Sequence, residues 1–214
     1  HGTATVGTSA GSDWRLSGVV ESWEGVKFTL TGPVTGAFGL ELPVPGLHNA
    51  RNAASAASLA VLAGATPEAV VSALARFGGV ARRFEHRGQA AGVVLVDDYA
   101  HLPTEVGAVL ATARSGGFSR VVAVFQPHRF SRTEALWSSF GGAFDDADVL
   151  YVTDVYPSGG PPRPGVSGQL VADAVIRDRP GADVRYVARR EDLLDALVGE
   201  LREGDLCLTM GAGD

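Results

Sequence analysis

Two stretches of this chain place proton-carrying and anion-holding side chains directly after apolar runs. In the first, Val93-Val94-Leu95-Val96 leads into Asp97-Asp98-Tyr99-Ala100-His101-Leu102-Pro103-Thr104-Glu105. In the second, Val121-Val122-Ala123-Val124-Phe125 leads into Gln126-Pro127-His128-Arg129-Phe130-Ser131-Arg132. Short apolar runs rich in β-branched residues predict buried strands, and Pro103 suits the first turn of a following helix. Open α/β sheets collect their ligands and chemistry where buried strands hand polar residues to their C-terminal ends. Two such strands define one candidate rim.

Each residue on that rim has a chemical use and an ordinary alternative. Arg129 and Arg132 are three apart beside His128, a spacing that can put both on one helical face near a helix N-terminus. Guanidinium forks suit a carboxylate or phosphate; equally, two arginines there can be solvated surface residues. Asp97-Asp98 could bind Mg²⁺ or a ribose hydroxyl, or end a strand and cap the next helix. Strand alternation sends the two carboxylates to opposite faces, so one ligand would not use both. His101 could carry a proton or donate a hydrogen bond, though a single loop histidine often does neither. Arg82-Arg83-Phe84 could reach a nucleotide phosphate or simply solvate a hinge. Gly211-Ala212-Gly213 would let backbone approach a ligand, but a bare Gly-x-Gly is a weak signal. No Gly-x-x-x-x-Gly-Lys-Ser/Thr loop occurs, so the chain carries no phosphate cradle of that type.

The elements that must position these residues follow from periodicity. Residues 1 to about 45 predict β structure: Val19, Val20, Trp23, Val26, Phe28 and Leu30 are spaced as a hairpin around Glu24-Gly25, followed by a turn-rich run from Gly32 to Gly39. This piece has too little apolar surface to stand alone and reads as the tail of a preceding domain. A long helix is expected from Asn49 or Ala50 to Gly64, with Asn49 as a possible N-cap. Thr66-Pro67-Glu68 opens a second helix to about Phe77. Residues 78–84 read as a linker. From about 85 onward, strands are expected at 92–97, 120–125, 148–153, 183–187 and 205–210 with helices between them. Ser131 and Glu134 sit at capping-box spacing in the second of those helices. Such alternation predicts a mostly parallel sheet with helices on both faces. Asp154 and Tyr156 follow the third strand and would join the rim.

Composition bounds the partners. The 214 residues are 45% hydrophobic and 20% charged, as in a globular protein. A net charge of −6 and a pI near 5.3 argue against a nucleic-acid partner. No apolar run reaches the ~18 residues a membrane span needs. The single Cys207 lies in an apolar strand and reads as a buried core thiol, compatible with a reducing cytoplasm. The chain opens on His1 and stops at a strand followed by a Gly-rich turn, which reads as a piece of a longer protein.

Six segments, in order, resemble the Mur ligases. They are Gly46-Leu47-His48-Asn49-Ala50-Arg51-Asn52-Ala53, Gly79-Val80-Ala81-Arg82-Arg83-Phe84, Asp97 to Glu105, Phe125 to Arg132, Gly165-Val166-Ser167 and Met210-Gly211-Ala212-Gly213-Asp214. The resemblance covers residues 46–214, and the Phe125 to Arg132 run points to an alanine-adding member. It implies an α/β, Rossmann-like C-terminal domain at 81–214, preceded at 1–80 by the β/α tail of a central ATPase domain. It also implies an ATP-dependent ligation of L-alanine to UDP-N-acetylmuramate through an acyl phosphate, with Mg²⁺ held mainly by an upstream domain. Such chemistry would be cytoplasmic, and this chain alone would be inactive.

By motif position the resemblance assigns Asn49 and Asn52 to the adenine, Arg83 to the phosphates and Asp98 to the ribose. Tyr99, His101, His128, Arg129 and Arg132 would line the L-alanine site, with the arginines on the carboxylate and His101 as the catalytic candidate. No metal ligand is assigned within the chain. Two positions depart from the family pattern. Leu102 stands where a second His is usual, and Pro157-Ser158-Gly159-Gly160 replaces a run ending in Glu, which removes a carboxylate. Two other readings stand beside this one: a free-standing amino-acid or nucleotide-binding domain, and a sister ligase with another acceptor.

Overall fold

In the N-terminal part, apolar residues alternate along three strands and meet one helix face. The computed structural model describes residues 3–213, which divide into two compact units between Gly79 and Val80. In the first unit β1 (Val6–Gly7) pairs in parallel with β2 (Trp14–Ser22), which runs antiparallel to β3 (Gly25–Gly32) and that to β4 (Gly36–Leu42). Trp14, Leu16, Val26, Phe28, Leu30, Leu40 and Leu42 point to one face and are at most 3% exposed. The hairpin turn is Trp23-Glu24, with Ser22 opposite Gly25. The stretch 36–39, expected as turn, is strand: Phe38, Leu40 and Leu42 pair in register with β3, and its glycines only dilute the sequence signal.

Two helices cover this sheet, α1 (Leu47–Leu62) and α2 (Pro67–Ala75). Small residues on α1, namely Ala50, Ala53, Ala54 and Ala57, let it lie close to the strands, and Val70 of α2 joins the same core. The hairpins therefore bury their apolar face within this unit. Thr66 caps α2 as expected, its hydroxyl accepting from the Ala69 N–H at 3.3 Å. Asn49 is not an N-cap. Gly46 occupies that position with φ 104°, a conformation costly for any residue with a Cβ, and Asn49 lies in the first turn, its side-chain amide donating to the Pro45 carbonyl at 2.7 Å.

The second unit is a six-stranded sheet in the order β5-β6-β10-β7-β8-β9. Its strands are β5 (Glu85–Ala90), β6 (Val93–Asp98), β7 (Arg120–Phe125), β8 (Val149–Val152), β9 (Asp183–Tyr186) and β10 (Asp205–Met210). All pairings are parallel except β5 with β6. The five parallel strands fall within one residue of their expected ends. The edge strand β5 was not expected, because Glu85-His86-Arg87-Gly88-Gln89-Ala90 carries no apolar alternation. It forms through a two-residue turn in which Ala91 and Gly92 both have positive φ.

Helices α3 (Pro103–Ser115), α4 (Phe130–Leu136), α5 (Gln169–Asp178) and α6 (Arg190–Glu200), with a 3₁₀ turn at Trp137–Phe140, complete the unit. Strand alternation divides the core. Val122, Val124, Tyr151 and Cys207 face Leu193 and Leu197 of α6, while Phe125, on the other side, meets Phe140 and Phe144 at 5.1 and 5.3 Å. Ser131 does not cap α4. It lies inside the helix, whose N-cap is Arg129, and Glu134 pairs instead with Arg163.

At the N-terminal edge of the parallel strands, Arg120 grips Asp205 through two hydrogen bonds of 3.0 and 2.7 Å and Glu200 through one of 2.7 Å. Arg185 holds the other Glu200 oxygen at 2.8 Å. Asp205 is 1% exposed. Burial alone would raise its pKa, but the bonds from Arg120 and the Arg202 N–H outweigh it and hold the carboxyl below its usual range. The same arginine, with Arg185, lowers Glu200.

Removing one partner of such a pair leaves a buried charge uncompensated. Arg120→Met should therefore destabilise the fold by about 3–5 kcal/mol, read as a lower urea midpoint. Because the folded-state carboxyl pKa values are depressed, the network's contribution is full above the unfolded carboxylate range and is lost as pH falls through it, toward and below about pH 4. The gap between parent and Arg120→Met midpoints should close in acid.

Candidate functional site

The C-terminal ends of the parallel strands are stitched together before any side chain projects from them. Asp98 closes β6, is 2% exposed, and accepts from the N–H groups of Phe84 and Ala100, both at 2.7 Å. Its carbonyl accepts from the Gly211 N–H at 3.1 Å, and the Gln126 N–H donates to the Met210 carbonyl at 2.9 Å. β10, last in sequence, thus lies between β6 and β7 and ties their outgoing loops together. The loop after β8 joins through Tyr156, whose N–H donates to the Pro127 carbonyl and whose carbonyl accepts from the Arg129 N–H, each at 2.8 Å.

Residues 82–84, expected as part of a linker, belong to this frame. The Arg82 carbonyl accepts from the Tyr99 N–H at 2.7 Å, and its guanidinium donates to Asp97 at 3.1 Å and to the Gly211 carbonyl at 2.7 Å. Arg82 and Phe84 have φ of 57° and 48°, and Arg129 has φ 69°. Left-handed backbone at residues with a Cβ is unfavourable unless the surroundings impose it. Here the hydrogen bonds of Asp98 and Tyr156 do so, and the three positions flank Arg83 and the second loop of the rim.

On this frame the rings of Tyr99, His101, His128 and Tyr156 follow one another. Tyr99 meets His101 edge-on at 5.5 Å, the two imidazoles are 5.9 Å apart, and His128 stacks on Tyr156 at 5.6 Å with planes 8° apart. His101 Nδ1 lies 2.9 Å from the Tyr99 carbonyl, and the His101 backbone N–H donates to Glu105 at 3.0 Å. Glu105 also takes the Leu102 N–H at 3.2 Å, so it caps α3 where Leu102 offers no acceptor. Arg132 lies 3.3 Å from His128 Nδ1. Arg83 is exposed, its guanidinium 5.6 Å from the Tyr99 ring centroid.

The structure therefore groups Tyr99, His101, His128 and Arg132. Arg129 precedes α4 instead of sharing a helical face with Arg132; it is exposed and lines a cavity of about 320 Å³ with Ser131, Ser158, Gly160 and Arg163. The departure at Gly160 falls in that cavity. Asp98 lies beneath the rim as a backbone clamp, while Asp97 faces the opposite side of the sheet, in a second cavity of about 590 Å³ with Arg82, Gln126 and Thr209. Asn49 and Asn52 belong to the first unit, where Asn49 is half-buried and Asn52 exposed. Among the described residues, no three His, Cys, Asp or Glu side chains are grouped to hold a metal ion, and no helix is long and apolar enough to cross a membrane.

Three residues take roles here that their sequence positions left unassigned. Tyr156 was placed on the rim without a partner. Glu105, three residues into a Pro-initiated helix, had a legible capping position. Gly213 belongs to the weak Gly-x-Gly signal but has a packing role: a Cβ there would lie 2.4 Å from Gln126 Oε1 and 2.7 Å from the Tyr156 ring, so only glycine lets the strand end pass.

The chain belongs to the Mur ligase family: residues 82–213 match the family's model for the Mur ligase, glutamate ligase domain. Within that family it is similar to UDP-N-acetylmuramate–L-alanine ligases. The enzyme of Nitratidesulfovibrio vulgaris is 51% identical over 175 residues, covering 81% of this chain and 38% of the relative. That of Kineococcus radiotolerans is 49% identical over 211 residues, covering 98% of this chain and 44% of the relative. The chain thus spans less than half the length of these relatives. The crystal structure of the Thermotoga maritima UDP-N-acetylmuramate–alanine ligase superposes with a TM-score of 0.82 at 29% identity, over 100% of this chain and 45% of that one. The fold is the α/β fold of the Mur ligases, with a mostly parallel sheet.

Burial holds the His128 pKa below its ordinary value, and the charges of Arg132, His101 and Arg129 lower it further. His128 should stay neutral at pH 7 and titrate below about 6.5 when followed by NMR. A folded-state pKa depressed for an imidazole means the unfolded chain binds the proton more tightly. Stability from this site is accordingly full above about pH 6.5 and declines as pH falls through that value; His128→Gln should remove that part of the pH dependence of the urea midpoint.

Proposed function

We propose that this chain is the C-terminal part of an ATP-dependent ligase that joins L-alanine to the carboxylate of UDP-N-acetylmuramate in peptidoglycan precursor synthesis. Residues 1–80 are then the end of the central ATPase domain, and 81–214 are the Rossmann-like domain that receives the amino acid. The observation that carries this reading is the grouping of Tyr99, His101, His128 and Arg132 at the strand ends, with Arg129 next in the chain. It supplies proton acceptors beside fixed cations, which is what an α-amino acid needs. The reading is further supported by the relatives' printed names.

ATP phosphorylates the muramate carboxylate, giving ADP and an acyl phosphate. Once the alanine ammonium has lost a proton, its nitrogen attacks that carbonyl; the nitrogen then gives up a second proton, taken by the departing phosphate, as the C–O bond breaks and the amide forms. This chain's residues would act on the nucleophile. Arg129 and Arg132 hold the alanine carboxylate, and His101 accepts the ammonium proton at Nε2. Tyr99 and His128 wall the acceptor. The motif-based nucleotide contacts are Asn49, Asn52, Arg83 and Asp98; for Asp98 the ribose contact would be added to the two N–H groups it already accepts. Mg²⁺ offsets phosphate charge, and we assign it, with the phosphate cradle and the UDP-sugar site, to residues outside this chain. The site of action is the cytoplasm.

The test is phosphate release by the full-length gene product with ATP, Mg²⁺ and UDP-N-acetylmuramate. Release should depend on L-alanine; equal or faster release with glycine, L-serine or a D-amino acid would assign a sister ligase instead. Removing one partner of a hydrogen-bonded charge pair costs about 2–5 kcal/mol. Arg129→Ala should then raise the L-alanine KM by about 30-fold or more. An unchanged KM would overturn the carboxylate assignment.

A further inference from the structure

The contact between Arg132 and His128 decides which nitrogen of His128 carries its proton. A guanidinium has five N–H donors and no acceptor, so its approach to 3.3 Å of His128 Nδ1 requires that nitrogen to be unprotonated. The proton of neutral His128 is then on Nε2. His128 is only 8% exposed, and its ring is held by the parallel stack on Tyr156. His101 is set the other way. Its Nδ1 faces the Tyr99 carbonyl at 2.9 Å, an oxygen that can only accept, with the Glu105 carboxylate at 3.5 Å. Nδ1 of His101 therefore carries the proton and Nε2 keeps its lone pair. Two imidazoles with centroids 5.9 Å apart are locked in opposite tautomers by different neighbours.

We propose that Arg132 is a positioning residue that fixes His128 as an Nε2–H donor, while the neighbouring His101 keeps an Nε2 acceptor. If, as proposed above, this site receives an α-amino acid, the pair matches its two ends: the ammonium gives its proton to His101, and the carboxylate accepts from His128 Nε2–H alongside Arg129. Arg132 thus acts on the substrate through His128 as well as by its charge. Tyr156 supports the same geometry, since it carries the His128 ring on its face and the Arg129 backbone on its carbonyl.

Long-range ¹H–¹⁵N NMR of the imidazoles in the 214-residue chain at neutral pH reads the tautomers directly, with assignments from His101→Gln and His128→Gln. The expected pattern is Nε2–H for His128 and Nδ1–H for His101. Arg132→Met should turn His128 into a tautomer mixture while His101 keeps its pattern, and Arg132→Lys, which restores a donor, should recover the His128 signature. A parent His128 protonated on Nδ1 would overturn the proposal whether or not the variants fold. So would a His128 pattern unchanged in folded Arg132→Met. In the full-length enzyme, adding L-alanine should shift both imidazoles, and adding acetate should shift His128 alone. The expected tautomers without any L-alanine response would sink the acceptor assignment of this site but not the role of Arg132.

Discussion

The rim depends on one buried carboxylate. Asp98 is withdrawn from water and held by two backbone N–H groups, one from Phe84 before the sheet begins and one from Ala100 after β6 ends. A buried carboxylate is tolerable only when its oxygens are bonded, so this anion enforces the path of both segments. It draws residues 82–84 into a left-handed turn, which sends Arg83 outward over Tyr99. It also starts the loop that delivers His101. The residue the family pattern ties to a nucleotide is here, first, the anchor of the site's geometry.

A second constraint is topological. β10 arrives last and is inserted between β6 and β7, so its exit, Gly211 to Gly213, lies between the two loops that carry the histidines. Backbone bonds from Gly211 to Asp98 and from Gln126 to Met210 extend the ladder past the strands. Gly213 then passes where a side chain would strike Gln126 and Tyr156. The candidate residues sit on loops, but backbone hydrogen bonds hold those loops to one another and to the strand ends. Those bonds allow Arg132 and the Tyr99 carbonyl to give two neighbouring histidines different protonation patterns.

The opposite end of the sheet is stabilising. Arg120, Asp205, Glu200 and Arg185 link β7, β10, α6 and β9 where no candidate site residue lies. Separating the ion-pair network from the rim leaves the rim's own charges, Arg129 and Arg83, exposed and without a hydrogen-bonded carboxylate partner among the described residues. Cations in that condition suit an anionic ligand; the paired ones suit a fold.

Strand positions in the second unit were legible because a buried parallel strand is a continuous apolar run bounded by polar residues, as in Val121 to Phe125. β5 was not legible, since an edge strand needs no apolar face and Glu85 to Ala90 has none. The start of α1 was misplaced by the strong capping preference of Asn49, where Gly46 takes the cap because the local backbone demands a positive φ. Residue types and spacing by themselves determined the sheet class and the two rim segments, because buried strands and their polar ends are written in periodicity, while the family was legible only as the resemblance of six short segments. Only the tertiary structure decided which carboxylate is buried, which histidine nitrogen is free, and that Tyr156 and Gly213 close the site. The burial of Asp98 and the approach of Gly213 to Tyr156 depend on segments far apart in the chain, while the histidine contacts are only two and four residues apart but need loop conformations that the surrounding fold imposes.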